Sequence, residues 1–306
     1  MSENRHNHTI SGHIHDQANV SGKRIFWVVL LNATITVAEL VGGLLSGSLA
    51  LLSDATHNLS DTVAIALSYF ANRISRKPKD ARKTFGYKRA EILAAFVNSS
   101  VLLVISLFLI VEAVKRFRNP ENIDGVLMIT VAVMGLLANL MSVFLLHRDS
   151  HDNLNIRASY LHLISDTVSS IGVIAGGIII NVWGIFWVDP LVTILIALYI
   201  ISKAWVIVIK TVDILMQSAA DLDYEVIKKD IEKMTGVKNI HHVHSWMSNE
   251  NTIYFEAHID MVDMQLCEAE NIYDQIEHYL KEEHGVSHVT LQAEVNKCQD
   301  KAIFKL

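Results

Sequence analysis

Apolar residues fill six long stretches in the first two thirds of the 306-residue chain. These stretches cover residues 25–45, 51–72, 92–114, 125–146, 158–182 and 185–209. A helix needs about twenty consecutive apolar residues to cross the hydrocarbon core of a bilayer, so the pattern predicts six membrane-spanning helices. The residues before them are polar and lack the apolar core of a signal peptide. We therefore expect no cleaved leader.

The pattern changes to short amphipathic segments after residue 210. Helices are predicted at residues 223–234 and 266–283, and strands at residues 240–247, 252–261 and 287–295. In the second strand apolar residues occupy every second position from Ile253 to Ile259. This alternation indicates a sheet that helices cover on one side, in the order αββαβ. We expect a disordered, His-containing N-terminus (1–23), an all-α six-helix transmembrane domain (24–210) and a soluble α/β domain (211–306).

Charge is distributed unevenly between these regions. Residues 1–210 contain 18 Lys and Arg and 14 Asp and Glu, whereas residues 211–306 contain 8 and 18, a net charge of −10. The distribution excludes a single soluble globule and a nucleic-acid-binding protein built on a basic surface. Two cysteines are too few for a disulfide framework and indicate a reducing compartment.

The loop between the second and third stretches indicates the orientation. The loops after the first and fifth stretches carry no Lys or Arg. The loop between the second and third stretches carries eight: Arg73, Arg76, Lys77, Lys79, Arg82, Lys83, Lys88 and Arg89. Cytoplasmic loops are enriched in Lys and Arg. Both chain termini are therefore predicted to be cytoplasmic.

Two predicted spans contain the same pair of ionisable residues. His57 and Asp61 lie in the second span, and His162 and Asp166 lie in the fifth. Each pair has i, i+4 spacing, which places an imidazole and a carboxylate on one helix face. Two nitrogen and two oxygen ligands suit a four-coordinate divalent cation, with zinc favoured. The alternative is that each pair is internally hydrogen-bonded and only holds helices together.

Three further acidic residues lie in or near the predicted spans. Asp54, three residues before His57, is interpreted as a supporting partner of the site or as a helix cap. Glu39 is assigned either a structural or a proton-relay role. Glu112, close to Lys115 and Arg116, is expected at the membrane interface.

Four segments resemble the cation diffusion facilitator family, and specifically its bacterial-type zinc-exporting branch. They are SGSLALLSDATHNLSD (46–61), FGYKRAEILAA (85–95), NIRASYLHLISD (155–166) and IHHVHSW (240–246). The resemblance implies a homodimeric antiporter that exports zinc against protons, with His57, Asp61, His162 and Asp166 as its transport site. It also implies a bacterial inner (plasma) membrane location and a metallochaperone-like cytoplasmic domain that pairs across the dimer. Cadmium, cobalt and iron(II) remain alternative substrates.

The resemblance also directs attention to the soluble domain. His241 matches the first histidine of the family's tail, and His258 and Glu294 lie on the polar faces of their strands. These three residues are the predicted cytoplasmic metal site, with zinc as a regulatory ligand and Gln292 as a weaker fourth ligand. Solvated surface residues are the alternative.

Other metal-binding residues have no assigned site. Cys298 and the four N-terminal histidines are accessory candidates: His6, His8, His13 and His15. The expected partners are a second copy of the chain, the lipid bilayer, protons and divalent metal ions, and no nucleic acid is expected. The functions that compete with a proton-coupled carrier are a metal-gated channel and a metal-sensing membrane protein. An enzyme is not expected, because the buried quartet includes no spare nucleophile.

Overall fold

A computed structural model describes residues 30–147, 154–295 and 302–303. Its first part consists of six helices, which we number α1 to α6. They are α1 (Leu30–Ser46), α2 (Leu49–Ser75), α3 (Arg89–Arg118), α4 (Gly125–His147), α5 (Leu154–Trp183) and α6 (Val188–Leu215). Each coincides with one predicted span, so the prediction of a six-helix transmembrane domain is confirmed.

Four of these helices have the length and apolarity needed to cross a membrane. They are α3, α4, α6 and the portion of α5 from Tyr160. Helix α2 is long enough, with 27 residues, but carries Asp54, His57 and Asp61. Its lower apolarity therefore comes from the residues that suggested a buried site.

Helix α6 begins three residues later than its apolar stretch. Gly184 adopts a left-handed conformation, with φ of 65°, directly after α5. Pro190 then lies in the first turn of α6, where its missing N–H costs no intrahelical hydrogen bond. The turn between α5 and α6 therefore takes up the first residues of the predicted span.

The first turn of α2 is completed by a residue of α6. The fully buried Asp189 carboxylate accepts hydrogen bonds from the Ser48 hydroxyl (2.5 Å) and from the backbone N–H groups of Leu49 (2.9 Å) and Ala50 (3.2 Å). The first N–H groups of a helix have no partner within the helix. Asp189 therefore fastens the beginning of α2 to α6.

Helices α4 and α5 approach each other closely at Gly177. A Cβ atom at this position would lie 2.7 Å from Cγ1 of Ile129. Small residues permit such contacts between membrane helices, where van der Waals packing replaces the hydrophobic driving force. Buried apolar side chains continue the packing around this contact: Ala50, Leu51, Met128, Val131, Val173 and Ile180.

The second part of the chain is a small α/β domain with the predicted αββαβ order. It contains α7 (Tyr224–Glu232), β1 (Val237–Asn249), β2 (Thr252–Met261), α8 (Leu266–His284) and β3 (Val286–Glu294). The strand order is β1-β2-β3, with β1 antiparallel and β3 parallel to the central β2. Its core comprises apolar residues of the sheet and of both helices, among them Ile227, Ile231, Phe255, Ile259, Ile276 and Leu280.

One side chain on the polar face of β2 is buried against expectation. Tyr254 is 5% exposed, because its ring stacks on that of Trp246 in β1, with ring centres 5.4 Å apart and planes 6° from parallel. The Phe85 ring lies edge-on to Tyr254 at 5.4 Å. The alternation of polar and apolar residues along one strand cannot predict such aromatic contacts, because the partner rings belong to other elements.

The described residues divide into two compact units. One contains the residues up to Leu67 together with Val97–Val206. The other contains Ser68–Phe96 together with the residues from Ile207 onward. The end of α2, the start of α3 and the loop between them therefore belong to the same unit as the α/β domain.

Candidate metal centre

Helices α2 and α5 bring the four predicted site residues together. The imidazole Nε2 of His162 lies 2.8 Å from Oδ2 of Asp61, across the two helices. The Nε2 of His57 lies 3.5 Å from Oδ1 of Asp166, again across the helices. The two imidazole rings are 5.5 Å apart, edge to face. His57, Asp61 and His162 each bring a ligand atom within 4.8 Å of the other two, and Asp166 lies beside this group, close to both histidines.

The pairs within each helix are not hydrogen-bonded. His57 and Asp61 are 3.8 Å apart, and His162 and Asp166 are 3.6 Å apart, both beyond hydrogen-bond length. Neither pair is therefore bonded within its own helix, and the hydrogen bond between His162 and Asp61 instead joins α5 to α2. The i, i+4 spacing directs each pair toward the other helix rather than toward itself.

These distances agree with the spacing of ligands around a tetrahedral zinc ion. Zinc bonds of about 2.1 Å place neighbouring ligand atoms about 3.4 Å apart in a tetrahedron. Three of the four nitrogen–oxygen distances, 3.5, 3.6 and 3.8 Å, lie close to that value. Three ligand atoms thus already lie at a spacing that suits a divalent cation, and Asp166 would have to move to complete a set of four.

The four side chains differ in exposure. The His162 and Asp61 side chains are 42% and 28% exposed, whereas His57 and Asp166 are 12% and 3% exposed. Among the described residues, neither Nδ1 of His57 nor Oδ2 of Asp166 has a hydrogen-bond partner, although both atoms are buried. Buried polar atoms normally have a partner, so the free oxygen of Asp166 is available to bind a cation.

The accessory carboxylates lie around the site rather than within it. Asp54 accepts a hydrogen bond of 2.7 Å from the Ser169 hydroxyl of α5 and a weaker one of 3.4 Å from Ser170. Glu39 is fully buried and accepts a hydrogen bond of 2.8 Å from the Asn58 amide of α2. Asp54 and Glu39 therefore join α5 and α1, respectively, to the helix that carries His57 and Asp61.

Glu112 has the partner that the sequence suggested. The ammonium group of Lys115 lies 3.2 Å from its carboxylate, near the end of α3. Arg116 instead pairs with Glu121 and donates a hydrogen bond to the Gly47 carbonyl. Glu112 therefore takes no part in the cluster of four residues.

A second cluster lies on the sheet of the α/β domain. Glu294 of β3 lies 3.4 Å from Nε2 of His241 and 3.0 Å from Nδ1 of His258. These ligand atoms all lie within 4.8 Å of one another. His241 and Glu294 are buried, so the interpretation of solvated surface residues is wrong for these two.

The cluster fits a zinc ion with one further ligand. Nε2 of His241 is buried and has no hydrogen-bond partner among the described residues. Gln292 donates a hydrogen bond of 3.1 Å to Glu294, so it lies beside the cluster as a supporting residue. Two imidazoles and a carboxylate are a common zinc ligand set that leaves a fourth position for water or another group.

His242 is a neighbour of this cluster that the strand pattern did not identify. A bulge between His241 and His244 interrupts the pairing of β1 with β2, and His242 adopts a φ of 52°. Its ring centre lies 4.5 Å from that of His258. Strict alternation would have separated these side chains, and a bulge redirects side chains in this way. Cys298 and the histidines at positions 6, 8, 13 and 15 lie outside the described residues.

Comparison with known proteins matches both parts of the chain. The model of the cation efflux transmembrane domain matches residues 25–216, and that of the cation efflux protein cytoplasmic domain matches residues 219–296.

Three bacterial relatives match nearly the whole chain. Zinc transporter ZitB of Escherichia coli is 38% identical over 296 residues, or 96% of this chain and 93% of ZitB. The cadmium, cobalt and zinc/H(+)-K(+) antiporter of Bacillus subtilis is 38% identical, with 92% of each chain covered. The metal cation efflux system protein CzcD of Cupriavidus metallidurans is 34% identical, with 94% of this chain and 92% of CzcD covered. These matches and the two helices with their paired ligands lead to one conclusion: the chain is a membrane protein of the cation efflux, or cation diffusion facilitator, family.

Proposed function

We propose that the protein is a proton-coupled antiporter that exports zinc from the cytoplasm. The transport site consists of His57, Asp61, His162 and Asp166. The observation that carries this proposal is the cluster of two imidazoles and two carboxylates that α2 and α5 bring together. His57 lies 3.5 Å from Asp166 across the helices, and the pairs within the helices are 3.8 and 3.6 Å apart, close to the ligand spacing around a tetrahedral divalent ion. Cadmium, cobalt and iron(II) are alternative cargoes, and the printed names of the relatives include the first two.

Competition for the same ligands couples metal to protons. Zinc binds neutral imidazole and ionised carboxylate, so binding expels protons and protonation expels zinc. An ordinary histidine titrates at about pH 6.5, which lets modest pH gradients change the occupancy of such a site. The two carboxylates neutralise the charge of a divalent ion, which lowers the cost of holding it within the membrane domain.

The uneven exposure of the site supports an inward-facing conformation. In the orientation predicted from the loop charges, Asp61 and His162 lie nearer the cytoplasm than His57 and Asp166. The first two are also the more exposed. On the opposite side Asp54 is buried and hydrogen-bonded to Ser169. We infer that this contact closes the outer side, and that it must separate when zinc leaves.

The cytoplasmic domain regulates transport in this proposal. Two copies form a homodimer, and each tail, with a net charge of −10, repels the other until zinc neutralises facing carboxylates. Zinc at His241, His258 and Glu294 then draws the tails together and raises transport. A tail-to-tail distance that does not change with added zinc would contradict this step.

The proposal also covers the membrane in which the protein lies and the limits of its two domains. The protein lies in the bacterial inner membrane with both termini cytoplasmic, in agreement with its eight-cation loop and its bacterial relatives. The transmembrane domain extends over residues 24–210, and the regulatory domain starts near residue 211.

Zinc flux into proteoliposomes under an imposed pH gradient tests the transport site. The experiment compares the intact protein with Asp166→Asn, which keeps the shape of the side chain but removes its charge. Glu112→Gln is the matched control, because it makes the same change in the membrane domain outside the site. We expect the gradient-driven flux to be lost in Asp166→Asn and retained in Glu112→Gln.

The other outcomes distinguish the alternatives. Flux that persists in Asp166→Asn would place the transport site elsewhere. Flux that is lost in Asp166→Asn but does not respond to the pH gradient in the intact protein would favour a metal-gated channel. No zinc flux in the intact protein would favour a metal-sensing membrane protein.

A further inference from the structure

A cavity of about 490 Å³ lies within the unit that contains the α/β domain. One wall is formed by the loop between α2 and α3 and by the first turns of α3. The other wall is formed by β1 and β2, with Trp246 and Ser248 at the surface of the cavity. None of the residues in the two metal clusters lines it, so metal binding at those clusters gives this cavity no function.

Four cations line the cavity: Arg82, Lys83, Lys88 and Arg89. Among the described residues none of them forms an ion pair within 4.0 Å of a carboxylate, and Lys88 donates a hydrogen bond of 3.1 Å to the Thr252 hydroxyl. Asp80 interacts electrostatically with Lys83, but the four cations outnumber the nearby carboxylates Asp80 and Glu91, and this excess of positive charge favours an anion.

The nearby carboxylates are occupied by other contacts. Asp80 accepts hydrogen bonds from the Tyr87 hydroxyl (2.5 Å) and from the backbone N–H groups of Arg82 and Lys83 (2.8 Å each). Glu91 accepts from Asn72 (3.0 Å) and Ser75 (2.7 Å). These carboxylates fix the loop and the helix ends, and they leave the cavity with an excess of positive charge.

Ser248 provides a second and independent sign of a ligand. Its side chain is 5% exposed, lines the cavity, and has an Oγ without a hydrogen-bond partner among the described residues. A buried hydroxyl without a partner is unfavourable. A polar ligand in the cavity would satisfy this donor, and the neighbouring cations specify that the ligand is an oxyanion.

The cavity also has an exposed apolar edge. Phe85 and Leu93 line it and are 55% and 50% exposed. Leu93 lies in the second turn of α3, a helix that is apolar enough to cross a membrane. A ligand in contact with both the cations and this edge is therefore itself both anionic and apolar.

We propose that this cavity binds a phosphate group, presented by an anionic phospholipid of the surrounding leaflet. Arg82 and Lys83 neutralise the phosphate, and Ser248 donates a hydrogen bond to it. The acyl chains lie along Phe85 and Leu93. Basic pockets at the cytoplasmic ends of membrane helices recognise lipid headgroups by this combination of charge and apolar surface.

Binding of short-chain phosphatidylglycerol to the purified full-length protein in detergent tests the proposal, with phosphatidylcholine as the neutral comparison. The test variant is Arg82→Gln/Lys83→Gln. The matched control is Arg76→Gln/Lys77→Gln, which removes the same charge from exposed positions of the same loop that do not line the cavity. We expect phosphatidylglycerol to raise the Tm of the intact protein and of the control, and its apparent affinity for the test variant to fall at least about tenfold.

Ser248→Ala isolates the hydrogen bond. Because Oγ has no partner in the unliganded protein, we expect this variant to keep its Tm without lipid and to bind phosphatidylglycerol about tenfold more weakly. Equal losses of affinity in the two double variants would show attraction by the loop charge alone and would overturn the proposal. An equal response to phosphatidylcholine would overturn it too.

Inorganic phosphate distinguishes the two sources of the group. Competition by millimolar phosphate, lost in Arg82→Gln/Lys83→Gln, would support recognition of the phosphate group and make the acyl chains dispensable. Without competition, selective phosphatidylglycerol binding at the cavity would support presentation by a lipid. Competition that persists in the double variant would place phosphate binding elsewhere and contradict the proposal.

Discussion

Asp189 of α6 accepts a hydrogen bond of 2.9 Å from the backbone N–H of Leu49, although 140 residues separate the two in the chain. Caps of this kind usually come from the residue directly before a helix. Here Ser48 caps α2 locally through the Leu51 N–H (3.1 Å), and Asp189 adds acceptors from another helix, so the start of α2 is stabilised further once α6 has packed beside it. Helix α2 in turn carries His57 and Asp61, so this contact helps to position half of the proposed transport site.

Asp189→Ala is expected to destabilise the protein more than the loss of a local cap. The substitution removes an acceptor from three buried donors, at a cost of roughly 2–4 kcal/mol. Asp124→Ala is the control, because exposed Asp124 caps α4 locally through Val126 and Leu127, and its loss should cost about 1 kcal/mol. Unfolding of the two purified variants measures the difference, and equal costs would contradict a special role for Asp189.

Gly135→Ala should disrupt the contact between α1 and α2. A Cβ atom at Gly135 would lie 2.3 Å from Oε1 of Glu39, whose other oxygen is bonded to Asn58. Moving this buried carboxylate should cost about 1–3 kcal/mol. At Gly172 a Cβ atom would meet nothing within 4 Å, so Gly172→Ala should be neutral or stabilise its helix by up to about 1 kcal/mol.

Thermal unfolding of both alanine variants tests this difference. A Tm of Gly135→Ala that equals that of the intact protein would show that Glu39 can move freely.

Glu294→Gln should abolish most of the stabilisation that zinc gives to the cytoplasmic domain. A ligand that binds only the folded protein stabilises it by about 2.7 kcal/mol at a hundred times its Kd. Without the Glu294 carboxylate the two histidines lose the anion that contacts both. Glu256→Gln is the control, because Glu256 is exposed on the same sheet.

Tm is measured with zinc and after its removal with a chelator. A zinc-dependent increase that survives in Glu294→Gln would place regulatory zinc elsewhere.

The contribution of Asp230 to stability should disappear in acid. Its carboxylate lies 2.7 Å from Nζ of Lys233 and accepts a hydrogen bond of 3.0 Å from Tyr279, and these contacts lower its pKa. Because the folded protein favours the charged form, the stabilisation is present above the ordinary carboxyl pKa and is lost as the pH falls through the lowered value. Burial and the neighbouring Asp230 raise the pKa of Tyr279 to about 12, so its hydroxyl remains a donor throughout this range.

The difference in Tm between the intact protein and Asp230→Asn measures this effect as a function of pH. It should be small and positive at neutral pH and vanish in acid, and Tyr279→Phe should show a smaller difference with the same direction. A difference that does not depend on pH would exclude a role for the charge.

The helices, the αββαβ order and the proximity of His57, Asp61, His162 and Asp166 could be predicted because each leaves a local pattern. An apolar run indicates a span, and His57 and Asp61 share a face through their spacing alone. Three contacts left no such pattern, because each joins residues that are far apart in the chain or lie in different elements. They are the hydrogen bond of Asn58 to Glu39, that of Ser48 to Asp189, and the stacking of Trp246 on Tyr254. The bulge at His242 also escaped prediction, since its sequence alternates in the same way as an undisturbed strand.

The central position of β2 has a geometric consequence. Tyr254, which lines the cavity, and His258, in the cluster with His241 and Glu294, lie four residues apart on this strand, about 13 Å along it. Hydrogen bonds to β1 and β3 hold the strand on both sides. The distance between the cavity and the histidine cluster is therefore fixed by the backbone of one strand and stays constant while the sheet is intact.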